Sequence, residues 1–206
     1  KRRADDSAKA CPMKQQSVSY RNLPLPPGFV GSAYEAAFDD SLVALDLNAL
    51  FDSGLHGRGH IERVMLLGAV LAQQAMLSGH ETRLLLLACS YHDVGRADDS
   101  VDDEHGLRSA ACMERLTGCK GMDLRVLKAV VEAHSRPDEQ MARVLARYGL
   151  DGEPAAWRLA RLLKDADGLD RVRLNALDPA YLRHPFSKAL EPLAWALVHH
   201  FPHRIA

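Results

Sequence analysis

No sign of charge dominates this 206-residue chain: 26 Lys and Arg face 27 Asp and Glu, a formal net charge of -1. That balance excludes proteins that coat nucleic acid or lie on anionic membranes, and no extended nucleic-acid surface is expected. Paired cysteines are missing too. Cys11, Cys89, Cys112 and Cys119 include no CxxC pair, and Cys89 falls inside an apolar run. Reduced, packed thiols are therefore expected rather than a disulfide framework. No uncharged apolar run approaches the ~18 residues of a membrane span. The opening "KRRADDSAKACPMKQQ" has no apolar signal core, so the expected location is cytoplasmic. Strand-like alternation and internal repeats are absent as well.

What is present reads as helix. An apolar fraction of 47% is enough for one sizeable core. Residues 1–30, polar and then proline-rich at "LPLPPG", read as a flexible arm; residues 31–206 read as one all-α domain, a helical bundle. Ile61, Val64, Leu67, Leu71 and Ala75 recur at helical spacing, and "ETRLLLLACSYHD" forms a second helix that Gly95 stops. Leu107, Ala110, Ala111 and Leu116 mark a third. Leu124, Leu127, Val130 and Val131 mark a fourth, with Asp123 placed as its cap. Helices over "EQMARVLARYG" and "EPAAWRLARLLKDADGLDRVR" follow, and a last one is expected from Ser187 to His200.

The second helix poses a chemical question. It runs along aliphatic residues and then ends on adjacent His92 and Asp93. A buried charge needs a partner, and a metal ion would serve. Further donors stand at helix ends or on mixed faces: His60, His105, His134, Asp165 and Asp167. Packed helices bring such positions to one point in bundle metal sites. Imidazole with carboxylate suits Zn, Mn or Fe rather than Ca. Adjacent residues in mid-helix point ~100° apart. At a terminating turn, by contrast, His92 can bind one ion while Asp93 also bridges to a second.

The ordered pieces "GHIERV", "YHDVGR", "EHG", "EAHS" and "KDADGLDRVR", within residues 56–173, resemble the HD-domain metal-dependent phosphohydrolase superfamily. The resemblance implies an HD-type helical domain with His60, His92, Asp93 and Asp167 as metal ligands. Asp165, the competing choice for the last role, would then support the ligands from behind. His105 and His134 are similar to the additional histidines of two-metal members. Ser135 stands where that subgroup has a second histidine, which disfavours a third ion. One or two divalent ions are implied: Mn or Fe ahead of Zn, Ni, Co or Mg.

The activity so implied is hydrolysis of a phosphomonoester or phosphodiester of a small molecule, a nucleotide by preference. Asp93 would orient the attacking water, and Arg96 would neutralise phosphate oxygens. His56, Arg58 and Lys164 are the further substrate contacts. His56 could instead donate a proton or merely cap its helix. Arg63 shares a face with His60 and could anchor Asp165 or another acid; Glu104 is the acid of the run "DDSVDDEH" placed to reach the metals. Pocket walls are expected from residues 55–58, 135–138 and the helix after Asp170. Leu177 to Pro192 is a candidate lid or homodimer contact. His80, His184, His199, His200 and His203 carry no motif and are expected at the surface. Two rivals share the pattern: HD-fold diiron oxygenases such as myo-inositol oxygenase, and a non-catalytic nucleotide-binding HD module.

Overall fold

The computed structural model describes residues 19–205, and its regular structure is entirely helical. The elements are α1 (Ala33–Val43), α2 (Arg58–Gln74), α3 (Gly79–Tyr91), α4 (His105–Thr117), α5 (Gly121–His134), α6 (Met141–Arg147), α7 (Pro154–Asp170), α8 (Pro185–Lys188) and α9 (Glu191–His200). Short 3₁₀ turns link them. Among the described residues no helix is long and apolar enough to cross a membrane.

Helix α2 is the axis of the bundle. The expected one-sided stripe understates it, because every residue from His60 to Ala72 is buried. A helix enclosed on all sides is one that others surround, and α1, α3, α7, α8 and α9 all pack on α2. Helix α3 starts at Ser78, which shares a capping box with Glu81. Its last helical residue is Tyr91, so His92 and Asp93 lie in the terminating turn.

Three boundaries differ from the sequence reading. Helix α5 begins at Gly121, whose φ of 57° suits glycine. Asp123 thus sits inside the first turn and accepts from His80 at 3.0 Å instead of capping. The single helix expected from Ser187 to His200 is two, α8 and α9, because Pro192 cannot donate to the carbonyl of Lys188 and opens α9 instead. The arm expected over residues 1–30 is packed from residue 19 on. Phe29 is fully buried, and Tyr20 meets Phe38 edge-on with ring centroids 5.4 Å apart. The rest of that arm, with Cys11, lies outside the described residues.

The buried face of α4 is not the one that its apolar spacing predicts. His105, Gly106, Ser109, Ala110 and Met113 face inward, while Leu107 is 36% exposed. Glycine sets this register. A Cβ on Gly106 would stand 2.8 Å from the Val131 carbonyl oxygen, so α4 and α5 touch backbone to backbone. Gly95 does the same between the end of α3 and α4, where a Cβ would meet Ser109 N at 2.4 Å and His105 O at 2.6 Å. These two contacts draw His105, His134 and Asp93 together. Gly95→Ala should therefore force the α3 turn off α4 and lower stability by about 1–3 kcal/mol, an overpacking cost. Urea unfolding of metal-free protein measures it, and stability equal to wild type would mean that the turn yields freely.

Candidate metal centre

Four imidazoles are fixed from behind, each through Nδ1. His60 donates to Asp170 Oδ2 at 2.8 Å, His92 to the Cys89 carbonyl at 2.9 Å and His134 to the Val131 carbonyl at 2.5 Å. His105 donates to the Asp102 carbonyl. Three of these acceptors are main-chain carbonyls three residues back along the chain. A carbonyl only accepts, so each ring carries its proton on Nδ1 and its lone pair on Nε2.

Those lone pairs face one another. Nε2 of His60 lies 3.1 Å from Nε2 of His92, and Nε2 of His105 lies 2.9 Å from Nε2 of His134. Two lone pairs at that distance repel unless a cation or a single proton stands between them. Two nitrogens bound to one ion at about 2.1 Å and roughly 90–110° would lie about 3.0–3.4 Å apart. The spacing fits a shared metal ion.

Asp93 stands between the pairs with one oxygen for each. Its Oδ2 is 3.5 Å from His60 Nε2 and 3.7 Å from His92 Nε2; its Oδ1 is 3.1 Å from His105 Nε2 and 3.6 Å from His134 Nε2. Asp93 is 2% exposed, and Oδ1 is buried without a well-formed hydrogen bond. Arg96 Nε approaches Oδ1 to 3.1 Å but in a direction that makes an ion pair only. Such an orphaned, buried anionic oxygen is costly. Asp167 closes the first pair, its Oδ1 at 3.5 Å from His60 Nε2 and 3.9 Å from His92 Nε2, with its side chain reaching the surface. Three donor sets each lie within 4.8 Å of one another: His60, His92 and Asp93; Asp93, His105 and His134; His92, His134 and Asp167. These clustered groups could hold a metal ion.

Electrostatics keep His92, Asp93 and Asp167 in ligand form. Burial, aided by His134 and His60, pushes His92 down to about 3, so it stays neutral. Burial would raise Asp93, but His92, His105 and His134 outweigh it and hold the carboxyl well below its usual range. The same contest leaves Asp167 at about 2, with His92 and His60 prevailing over burial. His60 moves the other way from His92: burial and Arg173 oppose protonation, but hydrogen bonds to Asp170 and Asp93 prevail.

Around this core the other expected residues fall variously. His56 is buried with its ring 5.8 Å from that of His60, and its Nδ1 is 2.8 Å from Asp99 Oδ1. Asp99 also accepts from Ser53 at 2.6 Å, so part of the acidic loop is structural. Arg96 bridges Asp93 and, at 3.3 Å, the Ser100 carbonyl. Arg58 turns instead to Glu62 on its own helix, at 2.5 Å. Lys164 lines the cleft described below, but its ammonium donates to the carbonyls of Ala133, His134 and Arg136 and pairs with Asp138 at 3.1 Å. Its donors are occupied in fixing the C-terminus of α5, where unpaired carbonyls gather. Glu104 points outward to Arg136 at 2.7 Å rather than inward to the imidazoles.

Two supporting roles went to residues other than those expected. Asp165 faces away from the imidazoles and accepts from Arg183 N, His184 N and Ser187 Oγ at 2.9, 3.1 and 2.7 Å. It thereby anchors the chain before α8 and half-buries His184, the one motif-free histidine drawn inward. Asp170 has the place behind His60. It is fully buried, and Arg63 clasps it through Nε at 2.6 Å and Nη2 at 2.9 Å. Arg173 adds a second cation at 3.3 Å. A two-nitrogen clasp of this kind is the strong form of such pairs. The spacing of Asp170 three residues after Asp167 was the available signal, since it returns to the same helix face.

A cleft of about 440 Å³ opens onto the centre, with His134 and Asp167 in its wall. Residues 176–178 and 181–183 line its other side, so the segment marked as a candidate lid does border the site. Arg171 and Arg183 supply positive charge, and Leu177, Tyr181 and Leu182 supply apolar surface. No family model, curated protein or solved structure matches this chain.

Proposed function

We propose that the protein is a metal-dependent phosphohydrolase of the HD type acting on a phosphoester of a small molecule, a nucleotide in the first instance. One observation carries the reading: a buried carboxylate, Asp93, offers one oxygen to each of two facing imidazole pairs. Bound there, divalent ions would supply a water acidic enough to be hydroxide at neutral pH and would polarise phosphoryl oxygens. His60, His92, Asp93 and Asp167 would hold one ion and Asp93, His105 and His134 the other. The imidazole and carboxylate donors suit Zn, Mn or Fe, and the HD-type reading puts Mn or Fe first. The cleft supports a substrate with an anionic end near Asp167 and Arg171 and an apolar part against Leu177 and Tyr181. His56, tethered to Asp99, keeps Nε2 for that substrate.

The test pairs metal analysis of the purified protein with panels of phosphomonoesters and phosphodiesters under Mn or Fe. Phosphate or alcohol release that tracks metal content is expected. Oxygen uptake by coloured, iron-loaded protein without phosphoester turnover would assign the oxygenase reading instead.

Arg96 tests the mechanism. Its guanidinium sits on Asp93 yet keeps donors for two phosphate oxygens, a fork that lysine lacks. Arg96→Ala should retain its metals and lose roughly 10²- to 10³-fold in turnover, the cost of removing one fixed donor from a developing anion. Arg96→Lys should recover part of this. Steady-state kinetics with metal content measured on the same samples decide it; a metal-replete Arg96→Ala protein at full speed would remove Arg96 from the mechanism.

A further inference from the structure

A second cavity, of about 230 Å³, lies outside the metal centre among Glu104, Arg136, Gln140, Arg143, Val144 and Arg147. Its lining is polar apart from Val144, and Val144 is itself buried. Three guanidinium groups share this small space. Two are held in place by carboxylates: Arg136 by Glu104 at 2.7 Å, and Arg147 by Glu132. Glu132 is fully buried and also accepts from Tyr148 Oη at 2.7 Å, so the Arg147 head is tied to the protein interior. Arg143 makes no ion pair among the described residues. Three cations against two acids leave one positive charge over, beside the Gln140 amide.

The geometry points to a binding site here for a small inorganic oxyanion of the phosphate type. Guanidinium forks present paired donors that match phosphate oxygens. Cavities for drug-sized organic ligands usually begin at about 300 Å³ and are mostly apolar; this one is smaller and gives a carbon skeleton nothing to lie on. Like-charged arginines also repel, and a shared anion relieves that repulsion where water only screens it. The site flanks the metal ligands without containing them. Glu104 precedes His105, and Arg136 follows His134 by two residues, so their ion pair joins the two ends that carry these histidines. The inference does not rest on the phosphohydrolase reading, since an anion site needs neither metal nor turnover.

Calorimetric titration of the chelator-treated full chain with inorganic phosphate, at fixed ionic strength, tests the proposal. Wild type should bind. Arg143→Glu should weaken binding about tenfold or more, a shift of about 1.4 kcal/mol. Arg143 is exposed and unpaired, so its replacement leaves the fold intact, and matched circular dichroism checks this. Arg183→Ala, in the other cleft, should leave the phosphate affinity as it was. Adenosine monophosphate should bind the Arg143 site no more tightly than phosphate does. The proposal is overturned if wild type shows no binding up to about 10 mM phosphate, or if Arg143→Glu binds as wild type does. Loss confined to Arg183→Ala would place the anion in the metal-side cleft, and nucleotide binding tighter than that of phosphate that Arg143→Glu abolishes would rule out a site for the inorganic ion.

Discussion

Asp93→Ala should bind no divalent metal tightly at either position, and any metal-dependent turnover should fall to background. The other ligands serve one imidazole pair or its neighbour, whereas Asp93 gives Oδ2 to His60 and His92 and Oδ1 to His105 and His134. Removing it takes an anionic donor from both sets at once. Two imidazoles and the partly exposed Asp167 remain at the first position and two imidazoles alone at the second, too few donors for a closed four-ligand site at either. His105→Ala should behave differently: the pair formed by His60 and His92 keeps Asp93 and Asp167 and loses nothing. One metal equivalent should disappear there and one remain. The fold should survive both changes, because α2, α3, α5 and α7 pack through aliphatic side chains away from the carboxylate. Elemental analysis after dialysis against a weak chelator, with circular dichroism on the same samples, separates the cases. Retention of one tight equivalent by Asp93→Ala would sink the bridging assignment.

The donors were legible in the sequence because they sit where an apolar helix has no reason to place them. His92 and Asp93 follow "LLLLACSY", and the terminating turn lets two adjacent side chains reach one centre. Which oxygen serves which imidazole was not legible. That depends on how closely α4 and α5 approach, and the approach is set by Gly95 and Gly106 meeting backbone atoms. A glycine in a sequence does not say what it touches. The same contact inverted the expected face of α4, where burial follows His105, Ser109 and Met113 rather than Leu107. Lys164 reads as a cation one turn before Asp167, yet the end of α5 arrives beside it with open carbonyls. Long-range pairs are hidden for a related reason: Asp165 and Asp170 are both aspartates and equally buried, and only the arrangement of α2 against α7 decides which meets His60.

Asp170 therefore carries the last large effect. It is fully buried and neutralises Arg63, itself 3% exposed, while fixing the His60 ring. Asp170→Ala leaves that guanidinium buried without its carboxylate, and breaking such a pair costs about 3–5 kcal/mol. Asp170→Asn is gentler: the amide keeps the volume and one acceptor oxygen but removes the charge that makes His60 a stronger donor. It should stay folded and lose about 10- to 100-fold in affinity for one ion, the usual cost of losing a partner behind a metal-bound histidine. The pH dependence distinguishes this account from simple packing. Burial would raise the Asp170 carboxyl, but His60 and Arg63 outweigh it and hold it below its ordinary 3.8. A carboxyl lowered in the folded state stabilises above the unfolded value, and that contribution is lost as pH falls through the folded value. The stability gap between metal-free wild type and Asp170→Asn should then be full near neutrality and shrink steadily below about pH 4. Urea unfolding of chelated samples across that range measures the gap, and one that did not change with pH would mean that the charge of Asp170 contributes nothing.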